Sequence, residues 1–277
     1  MTRLIPHTGA ALWLPLDDGL ISGPEDHLRD LRPFLKRDVV ESVTAVLGFR
    51  GALRSCHREL ARTPTIMNLT ASTTLGEHTR KVVVGSVADA VRDGVDAVAC
   101  HVNITSAYEG EQLEILGRVV SEADAYGMPV VAMAYPRRRH PNGTDDNHLG
   151  LREKNPDEFA VLVRHGVRAA VELGASAVKT IYTGTVESFQ TVVDCAMDVP
   201  VLIAGEKLID EGDAVAKAQY AIRAGAAGVA FGRQIFARHD PGPFVHKLRT
   251  GIDDCWAERN RTVTSVPPRS NALLGGG

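Results

Sequence analysis

Apolar positions along this chain gather into eight short, nearly unbroken runs rich in Val, Ile and Ala, at residues 11–16, 42–47, 65–69, 97–104, 129–135, 176–182, 200–204 and 228–231. Strict alternation would mark strands with one wet face; near-continuous hydrophobicity marks strands buried on both faces of a parallel sheet. Between the runs lie residues 25–36, 79–93, 110–126, 155–173, 185–196 and 212–224, where apolar side chains recur every three or four positions with charges elsewhere. That spacing predicts helices laid against the sheet. A short phrase recurs ahead of the later runs: Gly94-Val-Asp-Ala-Val98, Gly174-Ala-Ser-Ala-Val178 and Gly225-Ala-Ala-Gly-Val229. In each, glycine takes the left-handed backbone that ends a helix, and small residues then feed the next strand. Gly127-Met-Pro-Val130 and Asp198-Val-Pro-Val201 do the same with proline.

Eight strands alternating with helices through short turns fit a single α/β unit, a (β/α)8 TIM barrel with an extra N-terminal helix, expected over residues 1–264. A doubly wound open sheet is the alternative. Residues 265–277 end in three glycines and read as a disordered tail. The 277 residues suit one barrel, which takes about 250. With 31 Lys+Arg against 34 Asp+Glu, the net charge of −3 gives no chain-wide basic field for nucleic acid or an anionic membrane, so a small-molecule substrate is expected. The four cysteines form no Cys-x-x-Cys pair and are expected to be reduced thiols. Neither a signal-peptide core nor a run long enough for a membrane span is present, which points to the cytoplasm.

A barrel of this kind does its chemistry at the C-terminal ends of its strands, so polar residues there are the candidates. Lys179 lies inside the otherwise apolar run 175–182. Either it is a desolvated amine whose lowered pKa suits it to attack a carbonyl and form a Schiff base, or it is paired with a carboxylate or turned to solvent. Tyr135, fixed by the Pro136 that follows, is a proton relay or a packed rim tyrosine. Asp17 and Asp18 offer carboxylates for proton transfer or for a substrate hydroxyl, or serve as turn and cap residues. Gly205-Glu206-Lys207 after the seventh run and Gly232-Arg233-Gln234 after the eighth form a glycine pair of the kind that lets backbone amides approach a phosphate, with Arg233 as a charged fork. Tight turns and a surface ion pair are the plain reading of the same residues. His101 is a site residue or a satisfied core histidine. The basic run Arg137-Arg-Arg-His140 binds a second anion or a partner, or is a solvated loop. No clustered Cys/His pattern, P-loop or dinucleotide fingerprint occurs, so neither a metal nor a cofactor is expected.

The segments PLDDGLISGP (15–24), DAVACHVNIT (96–105), MPVVAMAYPR (128–137), ELGASAVKTIYTG (172–184), VPVLIAG (199–205) and GAAGVAFGRQIF (225–236) resemble the archaeal-type class I fructose-bisphosphate aldolases. That family (DeoC/FbaB-type aldolases) also includes the 2-amino-3,7-dideoxy-hept-6-ulosonate synthases and the thiolase of autoinducer-2 breakdown. The resemblance runs in order from Leu12 to about Pro241. It implies that Lys179 is the Schiff-base lysine, Tyr135 the proton donor and Asp17 the acid/base carboxylate. Gly205, Gly232 and Arg233 would surround a substrate phosphate, with Asp18, His101, Arg137 and Glu206 beside them. It also implies a metal-independent lyase acting on a phosphorylated ketose and an aldehyde, and a homo-oligomer, often a decamer.

Two positions depart from the pattern. Asp17-Asp18-Gly19 stands where the family usually has Asp-His-Gly, and Gly205-Glu206 where it usually has paired glycines. A carboxylate beside a phosphate pocket is repulsive unless its side chain turns away or Lys207 offsets it. The departures point to a specialised relative that joins a dihydroxyacetone-phosphate-type donor or phosphorylated diulose to an aldehyde such as aspartate semialdehyde. In that reading Arg137, its two arginine neighbours or Lys207 meet the carboxylate of the amino acid, and Asp18 or Glu206 its ammonium. Fructose 1,6-bisphosphate cleavage, the thiolase reaction, a zinc-dependent aldolase and a non-catalytic barrel scaffold are the alternatives.

Overall fold

A computed structural model of the protein describes residues 1–24, 26–140 and 145–265. The eight apolar runs form eight parallel strands: β1 (Ala11–Pro15), β2 (Ala45–Gly48), β3 (Thr65–Asn68), β4 (Ala97–Ile104), β5 (Val130–Pro136), β6 (Ala177–Thr180), β7 (Val201–Ala204) and β8 (Gly228–Ala230). Each pairs with its neighbours in sequence, and β8 pairs with β1 to close the barrel. Every residue of β1, β2, β4, β5, β6 and β8 is buried, which accounts for the unbroken hydrophobicity: one face fills the barrel and the other meets helices. Closure depends on Gly228. A Cβ there would lie 2.2 Å from the Ala11 carbonyl oxygen, so β8 reaches β1 only without a side chain.

Helices return the chain between strands: α1 (Asp18–Ile21), α2 (Leu31–Phe34) and α3 (Arg37–Ser42) after β1, α4 (Arg50–Ser55) after β2, α5 (Val87–Arg92) after β3, and α6 (Glu109–Asp124) after β4. There follow α7 (Leu149–Lys154) and α8 (Pro156–Glu172) after β5, α9 (Val186–Asp194) after β6, α10 (Glu211–Arg223) after β7, and α11 (Arg233–Phe236) and α12 (Pro241–Ser265) after β8. The glycines of the recurring phrase are left-handed as expected, with φ of 69° at Gly94, 91° at Gly174 and 98° at Gly225. Caps mark the helix starts: Asn155 accepts from the Glu158 amide ahead of α8, and Thr185 and Ser188 form a reciprocal capping box on α9.

The extra N-terminal helical material follows β1 as α1 to α3; residues before β1 form turns, tied down where the Trp13 indole donates to the Leu4 carbonyl at 2.9 Å. Three expectations shift. Residues 25–36 are not one helix but a 3-10 turn at Asp26–Leu28 and then α2, because the Asp30 side chain takes the Arg32 amide at 3.1 Å and starts a new helix. Residues 79–93 are helical only from Val87, where Ser86 accepts the Asp89 amide; the part before it is extended, and Val82–Val83 pairs antiparallel with Thr70–Ala71. The C-terminal helix α12, packed on α10 and α3, was not anticipated. It includes Ser265, and the rest of the expected tail, residues 266–277, lies outside the described residues. No helix among the described residues is long and apolar enough to cross a membrane.

Candidate active site

The residues singled out from the sequence converge on the C-terminal ends of the strands: Asp17 and Asp18 just past β1, His101 in β4, Tyr135 and Arg137 at the end of β5, Lys179 in β6, Gly205 and Glu206 after β7, and Gly232 and Arg233 after β8. In the register of the barrel His101, Met133 and Lys179 are level on β4, β5 and β6, with Asn103 and Tyr135 one step nearer the mouth.

Lys179 is 7% exposed, and Tyr135, one register step nearer the mouth on the neighbouring strand, acts on its charge. Thr180, next in the chain, donates to the Ala134 carbonyl at 2.7 Å, pinning β6 to β5 beside this pair. Of the two readings of Lys179, the amine lowered by desolvation is the one the structure opposes. Burial does push the amine down, but Tyr135, Asp17 and Asp18 outweigh it, and Lys179 stands above its ordinary pKa as an ammonium. Tyr135 is pushed up, chiefly by burial, against the charge of Lys179, so it rests as a neutral phenol.

Asp17 occupies the N-cap position of α1, yet its side chain caps nothing. It accepts instead from Asn68 Nδ2 at 2.9 Å, while Asn68 Oδ1 is held by the Thr70 amide at 3.1 Å. The carboxylate is thus oriented by a buried amide and caps no helix amide. Asp18 pairs with Arg233 Nε at 3.0 Å. Burial raises the Asp18 carboxyl above its ordinary value, with Arg233 opposing. The half-exposed Arg233 guanidinium is thus held beside Asp18.

On the β7–β8 side Gly205 is packed tightly: a Cβ would lie 3.0 Å from Gln234 Cγ and 3.2 Å from Phe231 Cδ1. Its own amide donates to the Ala230 carbonyl at 3.3 Å, so Gly205 provides close approach and not a donor. Buried Gln234 ties the two loops, giving Nε2 to the carbonyls of Gly205 (3.0 Å) and Lys207. The first amides of α11 have no acceptor within the helix and lie beside Arg233.

Glu206 carries a left-handed φ of 62°, a conformation glycine takes freely. Its carboxylate turns to Arg152 on α7, whose Nη1 donates to both oxygens at 2.7 and 2.9 Å, and to Lys217 on α10. Of the two alternatives for Glu206, its side chain turns away: Lys207 is exposed, and Arg152 with Lys217 neutralises the carboxylate. Arg152→Ala is expected to raise the KM for a phosphorylated donor about tenfold, about 1.4 kcal/mol, by freeing a carboxylate beside the anion loop. In a Glu206→Gly background the same change should do little. Steady-state kinetics on the four proteins decide it; equal effects in both backgrounds would show that Arg152 acts otherwise.

His101 is a satisfied buried histidine, its Nδ1 3.0 Å from Thr70 Oγ1 and its amide on the same oxygen at 2.9 Å. Burial, with the nearby Lys81 and Lys179, keeps it neutral. Arg138 and His140 of the basic run pair with Asp146 across a short ribbon, Arg138–Arg139 on Asp145–Asp146, and the charge of Arg137 acts on His101, His78 and Tyr135. Sequence reasoning missed Asn68, His78, Lys81, Arg152 and Lys217. Lys81 was hidden by the helical reading of 79–93; the signal was there in Val82-Val83-Val84-Gly85-Ser86, a β-type run closed by a helix cap. Among the described residues no three His, Cys, Asp or Glu side chains converge as metal ligands do.

A family model described as DeoC/LacD family aldolase matches residues 11–238. A 2-amino-3,7-dideoxy-D-threo-hept-6-ulosonate synthase of Halobacterium salinarum is 37% identical over 244 residues, 88% of this chain and 86% of that protein. A 2-amino-4,5-dihydroxy-6-oxo-7-(phosphonooxy)heptanoate synthase of Streptomyces griseus is 34% identical over 251 residues, 90% of this chain and 87% of that one. Among solved structures, an archaeal fructose 1,6-bisphosphate aldolase superposes with a TM-score of 0.79 at 28% identity, covering 91% of this chain and 97% of its own. Another structure of an archaeal fructose-1,6-bisphosphate aldolase, with its catalytic lysine covalently bound to the carbinolamine intermediate of the substrate, gives 0.78 at 28% identity, with the same coverage of both chains.

Proposed function

The chain belongs to the DeoC/LacD aldolase family, and from that premise we propose that it is a class I aldolase in which Lys179 carries the Schiff base, Tyr135 and Asp17 move protons, and a phosphorylated ketone donor is joined to an aldehyde bearing an amino acid group. The observation that carries the reading is Lys179 buried on β6, one register step below Tyr135 on β5, with the charges of Asp17 and Asp18 acting on it at the catalytic end of the barrel. The relatives named as heptulosonate and heptanoate synthases, both above 30% identity and nearly full length, favour the amino acid aldehyde. The archaeal aldolase structures favour fructose 1,6-bisphosphate as the second reading.

In the proposed cycle Lys179 passes a proton to Asp17, and its free amine adds to the donor ketone. The alkoxide is protonated, and water leaves to give an iminium that draws electrons from the neighbouring carbon. Tyr135, having given its proton to that alkoxide and become a phenolate beside the iminium, takes the proton from that carbon and returns to the phenol. The enamine attacks the aldehyde, the new alkoxide is protonated, and water returns to release Lys179. Arg233 exchanges Asp18 for the donor phosphate, with the first amides of α11 beside it. A single catalytic unit over residues 1–264, a homo-oligomer and a cytoplasmic location belong to the same reading.

The test is borohydride reduction with dihydroxyacetone phosphate, then mass spectrometry of the peptides, followed by turnover with aspartate semialdehyde or glyceraldehyde 3-phosphate as acceptor. An adduct on Lys179 and turnover with the semialdehyde are expected. An adduct elsewhere, or none with either dihydroxyacetone phosphate or fructose 1,6-bisphosphate, would overturn the assignment of Lys179. Turnover with the triose phosphate alone would move the protein to the second reading.

A further inference from the structure

We propose that Thr105 and Glu206 are positioning residues: held in left-handed backbone after β4 and after β7, they clamp the two ends of α7 and so fix as one unit the strand ends around Tyr135 and Lys179. This rests on the aldolase reading above and adds to it what keeps the proton-transfer side and the donor-phosphate side of the site in register.

Among the described residues four non-glycines have a positive φ: Thr105 at 70°, His148 at 56°, Met197 at 55° and Glu206 at 62°. Met197 lies in the turn ahead of β7, at the N-terminal end of the strands; the other three meet at α7. A β-branched threonine in that region is an outlier, and such backbone persists only where the surroundings over-determine it. Thr105 Oγ1 donates to the Arg137 carbonyl at 3.0 Å. Its single proton is thereby used, so His148 Nε2, 2.9 Å away, is the donor to the same oxygen. The Thr105 amide donates to Glu109 Oε2 at 2.6 Å. His148 is the N-cap residue of α7, and its amide donates to Asp146, the partner of Arg138. At the other end Glu206 holds Arg152 of α7 through both carboxylate oxygens, and Arg152 Nη1 also lies 3.4 Å from the Tyr182 carbonyl oxygen. A Cβ on Gly184 would lie 3.8 Å from Arg152 Cγ, so the stem of the arginine runs against the chain leaving β6.

The helix itself supplies little to hold it. It has six residues, none of them buried, and a helix that short is marginal without tertiary support. Its C-terminal end runs into α8 at Asn155, so the side-chain ties decide where the rest of it lies. Those ties reach the ends of β4, β5, β6 and β7, four neighbours in the barrel. Tyr135 on β5 and Lys179 on β6 stand inside that arc, and Gly205 and Glu206 close it on the donor-phosphate side. Lys217 shares the Glu206 carboxylate and brings α10 to the same end. A bar fastened at both ends carries a disturbance from one to the other, which two independent loops would not. Thr105 is exposed at the rim and Glu206 faces α7 and α10, so both act through what they hold.

The experiment compares the unaltered protein with Thr105→Ala, Thr105→Ser, Glu206→Gly and the Thr105→Ala/Glu206→Gly double variant, melting curves verifying that each folds. Amide hydrogen exchange without ligand reads the clamp. Thr105→Ala is expected to speed exchange over residues 148–154 about three- to tenfold, the scale of one lost hydrogen bond, and Thr105→Ser to restore it. The far ends carry the distinguishing signal. Thr105→Ala should also speed exchange at Gly205 and Ile209, whose amides are bonded to Ala230 and Gln234, by at least about twofold, and Glu206→Gly should do so at Thr105 and Glu109. With dihydroxyacetone phosphate and aspartate semialdehyde, each single variant should lose about tenfold in kcat/KM and the double variant no more than the worse single one, because freeing either end frees the bar. Exchange changes confined to the altered end, single variants with unaltered kcat/KM, or losses that multiply in the double variant would overturn the proposal. Borohydride trapping on Lys179 of the unaltered protein is scored separately: no adduct there sinks the Schiff-base reading, and the exchange pattern still decides the clamp.

Discussion

Lys179→Ala is expected to retain the barrel and lose turnover by more than about 10⁴-fold, the scale on which removing a covalent nucleophile is felt. Borohydride should then trap no donor at any position. The reason lies in what remains: Tyr135, Asp17 and Arg233 still bind and polarise a phosphorylated ketone, but nothing forms the iminium that makes a carbon acid of its neighbour. Burial of the site argues that water enters the gap without unfolding the strand, because Lys179 is flanked by Val178 and Thr180, both fully buried. Circular dichroism and a melting curve verify that the fold survives. Turnover within tenfold of the unaltered protein would remove the Schiff base from the mechanism.

The same residue sets the pH dependence. In the free protein Lys179 is held above its ordinary value because Tyr135, Asp17 and Asp18 outweigh burial, so the attacking amine is a minor species at neutral pH. The rate of adduct formation at saturating borohydride should therefore climb with pH through the neutral range instead of levelling near 7. A rate that is flat from pH 6 to 9 would mean that donor binding itself, and not Asp17, strips the proton.

Much of this was legible in the chain because burial on both faces leaves a plain mark. All eight strands begin within three residues of the apolar runs, and the left-handed glycines at 94, 174 and 225 stand where the recurring phrase places them. Lys179 was conspicuous as a cation inside such a run. Its charge state was not, because desolvation is visible in sequence while the opposing carboxylates of Asp17 and Asp18, some 160 residues away, come into range only through barrel closure. Glu206 shows the same limit. Sequence marks it as a carboxylate beside an anion loop; that Arg152 and Lys217 answer it depends on α7 and α10 flanking β7. Lys81 was lost for a different reason. Alanines, valines and charges at helical spacing over 79–93 masked a ribbon, and propensity gave way to the tertiary pairing of Val82–Val83 with Thr70–Ala71.

Tyr135→Phe should separate capture of the donor from its activation. The phenol stands on the strand next to that of Lys179, one register step nearer the mouth, so loss of the hydroxyl leaves the amine, Asp17 and the phosphate side in place. Donor should still be trapped on Lys179 by borohydride, because the amine and the Asp17 and Asp18 carboxylates that act on it are untouched. Exchange of the proton on the carbon beside the ketone, followed in deuterated water without acceptor, should fall by about 10² to 10⁴, the range a positioned general acid–base supplies. Overall turnover should fall by the same factor, because the enamine forms only through that step. If exchange persists at the original rate while condensation is lost, the proton at carbon belongs to Asp17 and the Tyr135 hydroxyl serves the aldehyde oxygen; Asp17→Asn would then be the variant that abolishes exchange.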